Sequence, residues 1–150
     1  NGGNPFKLVD NSRDSQEEVD QEFLTHDAVA LVRTKDSDEI LSVAIALGIG
    51  IEQKMIDIRR ELLREAKANP AGFIGMFDDP RVKTRSAIIQ AGEFQILALK
   101  PDGAYWFDSG RLIVSVPAGQ DSTDIMVRFC MTEKGASVYE EIVSRLEKLS

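Results

Sequence analysis

A chain of 150 residues, 43% hydrophobic and 29% charged, carries enough apolar material to build a core without disulfides or structural metals. Its formal charge of −7 argues against nonspecific binding of polyanions. Its lone cysteine, Cys130, excludes an intrachain disulfide and a cysteine-based zinc site. The longest apolar run, Ile40 to Ile51, is broken only by Ser42 and is too short to span a bilayer. No charged segment followed by an apolar one opens the sequence, so neither a signal peptide nor a membrane anchor is expected, and a reduced, cytoplasmic setting is.

Residues 1–15 are rich in Gly, Asn and Ser, lack a period, and predict a loose arm ahead of a single domain over 16–150. Asn4, Pro5 and Phe6 spell a tripeptide that resembles the ligand motif of EH domains in eukaryotic trafficking proteins. A tether that packs Phe6 and Leu8 on the domain is the simpler reading. Val19, Phe23 and the run AVALV predict a first helix from Ser15 to about Val32, with acidic residues suited to its N-terminus. An alternative splits it at Thr25 and places a strand over Ala28 to Arg33. His26, the only histidine, has the chemistry of a pH switch or general base, but no nucleophile motif accompanies it. It reads as a surface residue.

From Asp36 to Pro70 the pattern predicts one long amphipathic helix. Ala44, Gly48, Ile51, Met55, Ile58 and Leu62 recur at alternating spacings of four and three, and Ile45, Ile49, Ile56 and Leu63 widen the stripe. Asp36 and Glu39 have capping-box spacing, and Asn69 with Pro70 stops the helix. Gly48 and Gly50 each cost about 1 kcal/mol in a helix interior, which implies a close helix crossing or a break near residue 48. With such a break, VAIALGIGIEQKMIDIRREL resembles a helix-turn-helix.

Phe73, Ile74, Met76 and Phe77 crowd the next segment, where they serve as core filler or as an anchor for a partner's pocket. Asp79 as N-cap and Pro80 at the first helical position begin another helix, with Val82, Ile88, Ile89 and Ala91 inward and Gly92 at its end. Arg81, Lys83 and Arg85 in that helix form a basic cluster with no acid among them.

The remainder predicts strands. FQILALK and AYWF flank a Pro-Asp-Gly turn, Asp108-Ser109-Gly110 turns into RLIVSV, and DIMVRFCM forms a fourth strand with Ile125, Val127 and Phe129 on one face. Thr132 caps a last helix whose Val138, Ile142, Leu146 and Leu149 make a stripe. A strand followed by MTEKGASVYEEI resembles the end of the wing and the start of the last helix in MarR-type winged-helix regulators, where a Thr-x-x-Gly segment takes the same place. That resemblance implies a DNA-binding winged helix.

No P-loop, GxGxxG, GxSxG or HExxH pattern occurs, so no metal or other cofactor is expected. A small enzyme would need Asp108, Arg111 and His26 to meet in one polar cleft. Cys130, beside Phe129 and Met131, reads as a small buried hydrophobe in a strand. The expected fold is α+β: a helical N-terminal half with one long amphipathic helix, a four-stranded antiparallel meander, and a C-terminal helix packed on the sheet. The expected function is a non-catalytic protein-interaction module that oligomerises or docks a partner through Ala44, Gly48, Ile51, Met55, Phe73, Met76 and Phe77. The alternative is nucleic-acid binding through Arg81, Lys83 and Arg85.

Overall fold

A computed structural model describes residues 3–149, with side chains from Ser15 onward. The side chains of residues 1–14, the Asn-Pro-Phe tripeptide among them, lie outside the described residues, and the backbone of residues 3–15, expected as a loose arm ahead of a helix from Ser15, belongs to the first helix. Helices α1 (Gly3–Thr34), α2 (Ser37–Ala46), α3 (Met55–Ala68), α4 (Pro70–Met76) and α5 (Pro80–Glu93) are followed by strands β1 (Leu97–Lys100), β2 (Gly103–Trp106) and β3 (Leu112–Ser115). Helices α6 (Ser122–Cys130) and α7 (Glu133–Leu149) complete the chain. The class is α+β, mostly helical, with a three-stranded antiparallel sheet in the order β1-β2-β3. None of the helices is long and apolar enough to cross a membrane, among the described residues.

The long helix expected over Asp36 to Pro70 is three pieces. Gly48, at φ 78, takes the left-handed conformation, its N–H bonds to the Ile45 carbonyl at 3.0 Å, and the Ile49 N–H bonds to the Ala44 carbonyl at 2.9 Å. This Schellman arrangement closes α2, because the left-handed residue turns the next N–H back onto an unsatisfied carbonyl. The connection from Leu47 to Lys54 is longer than the three to four residues of a helix-turn-helix turn. At the start of α2 the capping box does not form: Asp36 makes no side-chain cap, and Glu39 instead pairs with Lys35 at 3.2 Å. The stop at Asn69 does hold, and the Asn69 side chain accepts from the Gly72 N–H to open α4.

Helix α5 starts as its residues dictate, with the Asp79 carboxylate accepting from the Arg81 N–H at 2.8 Å. It ends one residue past Gly92 in a second Schellman turn, and here Gln95 carries the positive φ, 59. The β1–β2 hairpin pairs Lys100 with Gly103 across Pro101 and Asp102.

The fourth strand is absent. The segment DIMVRFC lies in α6 with Met131 as its C-cap; Asp121 at the N-cap accepts from the Asp124 N–H at 3.1 Å, and Met126, Val127 and Cys130 form a buried helical face. A short apolar run satisfies both periods, and the cap decides for the helix. No wing strand therefore precedes Thr132. Thr132 still opens α7, accepting from the Gly135 N–H at 3.1 Å. A Cβ on Gly135 would stand 1.8 Å from the Phe129 carbonyl oxygen, so only glycine permits this close turn between α6 and α7.

Two hydrophobic clusters result. One joins Ala28 and Val32 of α1, Ile40, Val43 and Ala44 of α2, Ile58, Leu62 and Ala66 of α3, Phe73 and Phe77, and Val82 of α5. The other joins Ile88 and Ala91 of α5 to Ile96, Leu97, Ala104, Met126, Val127, Cys130 and Ile142. Between them, Ser86 of α5 donates to the Asp38 carboxylate of α2 at 2.6 Å, and Ser42 donates to the Asp38 carbonyl at 2.7 Å, all within buried surroundings. The Arg59 guanidinium of α3 donates to the Val32 carbonyl and, at 3.2 Å, to that of Lys35, closing the C-terminal end of α1.

The two Schellman turns predict opposite responses to mutation. Gly48→Ala destabilises by about 1 kcal/mol, since a Cβ is disfavoured at that φ, whereas Gln95→Gly stabilises by roughly 0.5–1 kcal/mol by relieving the same penalty. Chemical denaturation of the two variants checks both signs.

Candidate functional site

Helix geometry brings Arg81 and Arg85 of α5 onto one face, a turn apart, and does the same for Asp124 and Arg128 of α6. The caps at Asp79 and Asp121 set both registers. Where the helices pack, Arg85 meets Asp124 at 2.6 Å, with the arginine side chain only 17% exposed. Together with Ile45, Val127 and Met131, these residues line a cleft of about 690 Å³. Three guanidinium groups and one carboxylate stand there. Arg81 and Arg128 have no ion-pair partner among the described residues.

Lys83, the third member of the expected basic cluster, is two residues from each arginine and faces the other side of α5. It lines a second cleft of about 560 Å³ with Lys35, Asp36, Asp38, Glu39 and Asp78. This cleft is acidic, and two of its carboxylates are engaged locally: Glu39 with Lys35, and Asp38 with Ser86. No group of acidic, histidine or cysteine side chains among the described residues is arranged to hold a metal ion. The basic cluster is thus divided between two faces. Arg59, bound to the end of α1, and Arg60, 3.4 Å from Asp57, belong to neither cleft.

The seven residues expected to dock a partner do not share a surface. Ala44 and Phe73 are buried, and Phe77 is 8% exposed, stacked edge-on against Phe73 at 5.4 Å with the Lys35 ammonium 5.5 Å from its ring. Met55 and Met76 are half-buried against the same cluster. Only Gly48 and Ile51, in the connection after α2, are exposed. The continuous helix that would have aligned them is absent, and the α1–α5 core takes up the larger side chains.

The possible enzymatic trio is also separated. Asp108 follows β2 and pairs with Arg145 of α7 at 3.5 Å; Arg145 also bonds Glu141 at 3.0 Å and lies 4.4 Å from the Trp106 ring. Arg111 is held through its backbone, its N–H bonding the Ser109 hydroxyl and its carbonyl accepting from Trp106. His26 is exposed on α1, which packs mainly on α3 and α4. Cys130 is buried as expected, though in α6, and burial pushes its thiol up to about 11.

Two exposed apolar features escaped the sequence reading. Val19 (47% exposed) and Phe23 (64%) lie a turn apart on the outward side of α1, opposite Ala28 and Val32. Ile56 (64%) lies on the outward side of α3, opposite Ile58 and Leu62. The sequence shows their periodicity but not which side the core covers.

Comparison with protein-family models, with curated proteins and with solved structures finds no match to this chain.

Removing the Ser86 hydroxyl leaves the buried Asp38 carboxylate without its side-chain donor, so Ser86→Ala costs about 2 kcal/mol in chemical denaturation. Cys130 gives a pH prediction. The unfolded thiol, near the ordinary 9.0, loses its proton before the folded one near 11, so stability falls as pH rises from 9 to 11. Below that window the group has no influence. Near neutral pH a thiol reagent labels the native protein only as it unfolds, and rapid labelling of the native state contradicts this placement.

Proposed function

We propose that this chain is a non-catalytic assembly module that pairs with a second copy of itself, α1 of each copy lying on α3 of the other. The observation that carries the reading is the opposite charge of two outward helix faces. On α1, Val19 and Phe23 are surrounded by Glu18, Asp20, Glu22 and Asp27. On α3, Ile56 and the half-buried Leu63 share the outward stripe with Arg60, Arg64 and Lys67 and with one acid, Asp57, which pairs with Arg60 at 3.4 Å and leaves the face net basic. Each face combines large apolar side chains with charges that suit the other.

A two-fold pair makes this one contact twice, which is how a self-complementary interface closes without leaving a free face. Length adds support. The 32 residues of α1 extend roughly 48 Å at 1.5 Å per residue, and among the described side chains the first to enter the core is Ala28. Burying Phe23 and Ile56 supplies affinity, and the charges around them fix orientation. Phe73, Met76 and Phe77 are not part of this interface, because they pack within the chain.

Size-exclusion chromatography with light scattering tests the pairing. Wild type is a dimer at high micromolar concentration; Phe23→Asp and Ile56→Asp each give a monomer with unchanged helical circular dichroism, both side chains being exposed. Arg60→Glu weakens the dimer about fivefold, and adding Glu22→Arg restores it. A wild type that stays monomeric at every concentration, or a dimer indifferent to Phe23→Asp, overturns the reading.

A further inference from the structure

We propose that the cleft between α5 and α6 binds the phosphoryl group of a small phosphate monoester whose apolar body rests on Ile45, Val127 and Met131. In a chain of formal charge −7, this cleft concentrates Arg81, Arg85 and Arg128 against the single carboxylate of Asp124. Like charges gathered this way repel one another, and an anion between them removes that repulsion.

The groups suit phosphate in kind as well as in charge. A guanidinium presents five N–H donors in a planar fork that matches two phosphate oxygens at once. Asp124 engages Arg85 through one terminal nitrogen, at 2.6 Å, which holds that side chain in place and leaves donors to spare. Arg81 and Arg128, without ion-pair partners among the described residues, close on the ligand from two helices. The volume of about 690 Å³ lies within the range typical of small-molecule sites.

A nucleic acid is a poorer fit. A polymer needs a track of cations, and here Lys83 points into the acidic cleft on the far side of α5. The apolar wall favours a monoester over free phosphate. Because Ile45 belongs to α2 and the arginines to α5 and α6, the ligand also spans the joint between the two hydrophobic clusters. The proposal does not depend on self-association.

Calorimetric titration of the wild-type chain with phenyl phosphate tests it, with inorganic phosphate and a single-stranded oligonucleotide as comparison probes. Phenyl phosphate binds, inorganic phosphate binds several-fold more weakly, and Met131→Ser narrows that gap. Arg81→Gln and Arg128→Gln, both at exposed positions, each weaken phenyl phosphate about tenfold. Lys83→Gln makes the same change in net charge on the other side of α5 and alters binding less than twofold. No binding at millimolar phenyl phosphate, an equal loss with Lys83→Gln, or displacement of phenyl phosphate by the oligonucleotide overturns the proposal.

Discussion

Helix α5 belongs to two hydrophobic clusters at once, and the rest of the structure depends on that sharing. Val82 near its start packs among the N-terminal helices, while Ile88 and Ala91 near its end pack with the sheet and α6. Between them the Ser86 hydroxyl meets the buried Asp38 carboxylate. A buried carboxylate is costly without donors, so the hydroxyl fixes how α2 sits along α5. No described buried side-chain polar atom is left without a partner, which is consistent with a joint that is specified and not merely collapsed.

The same helix separates charge. Successive turns send Arg81 and Arg85 to one side, where α6 adds Arg128, and Lys83 to the other, where Asp36 and, from α2, Asp38 and Glu39 stand. Two clefts of opposite character therefore flank one rod. Net charge describes long-range behaviour, but a ligand within a few ångströms responds to the local set. An acidic chain can hold a cationic cleft for that reason. The outward faces of α1 and α3 repeat the pattern, with acidic residues around Phe23 and basic residues around Ile56.

Local chemistry was readable wherever a residue acts on its own backbone. Asp79 with Pro80, Asn69 with Pro70, Thr132, and the Pro101-Asp102 turn all do what their side chains imply. Gly48 was legible as a possible break, but a continuous stripe from Ala44 to Leu62 outweighed it, because the period runs through the connection by coincidence. The segment from Asp124 to Met131 does not declare its structure, because eight residues of mixed polarity fit either period and the deciding cap, Asp121, lies just outside the apolar run. The meeting of Arg128 with Arg81 and Arg85 depends on the same choice, since it requires the segment to be a helix packed on α5.

From the sequence alone came the elements governed by short-range forces: helix starts, turns, the α+β class, the absence of a disulfide, and the supply of apolar side chains. The tertiary structure decided which apolar faces are covered and which distant charges meet. Periodicity shows that a helix has a greasy side; coverage depends on what packs there, and so Phe73 and Phe77 are core while Phe23 and Ile56 are surface. Likewise, the approach of Arg85 to Asp124 rests on α5 and α6 packing together, a relation between elements that no local rule contains.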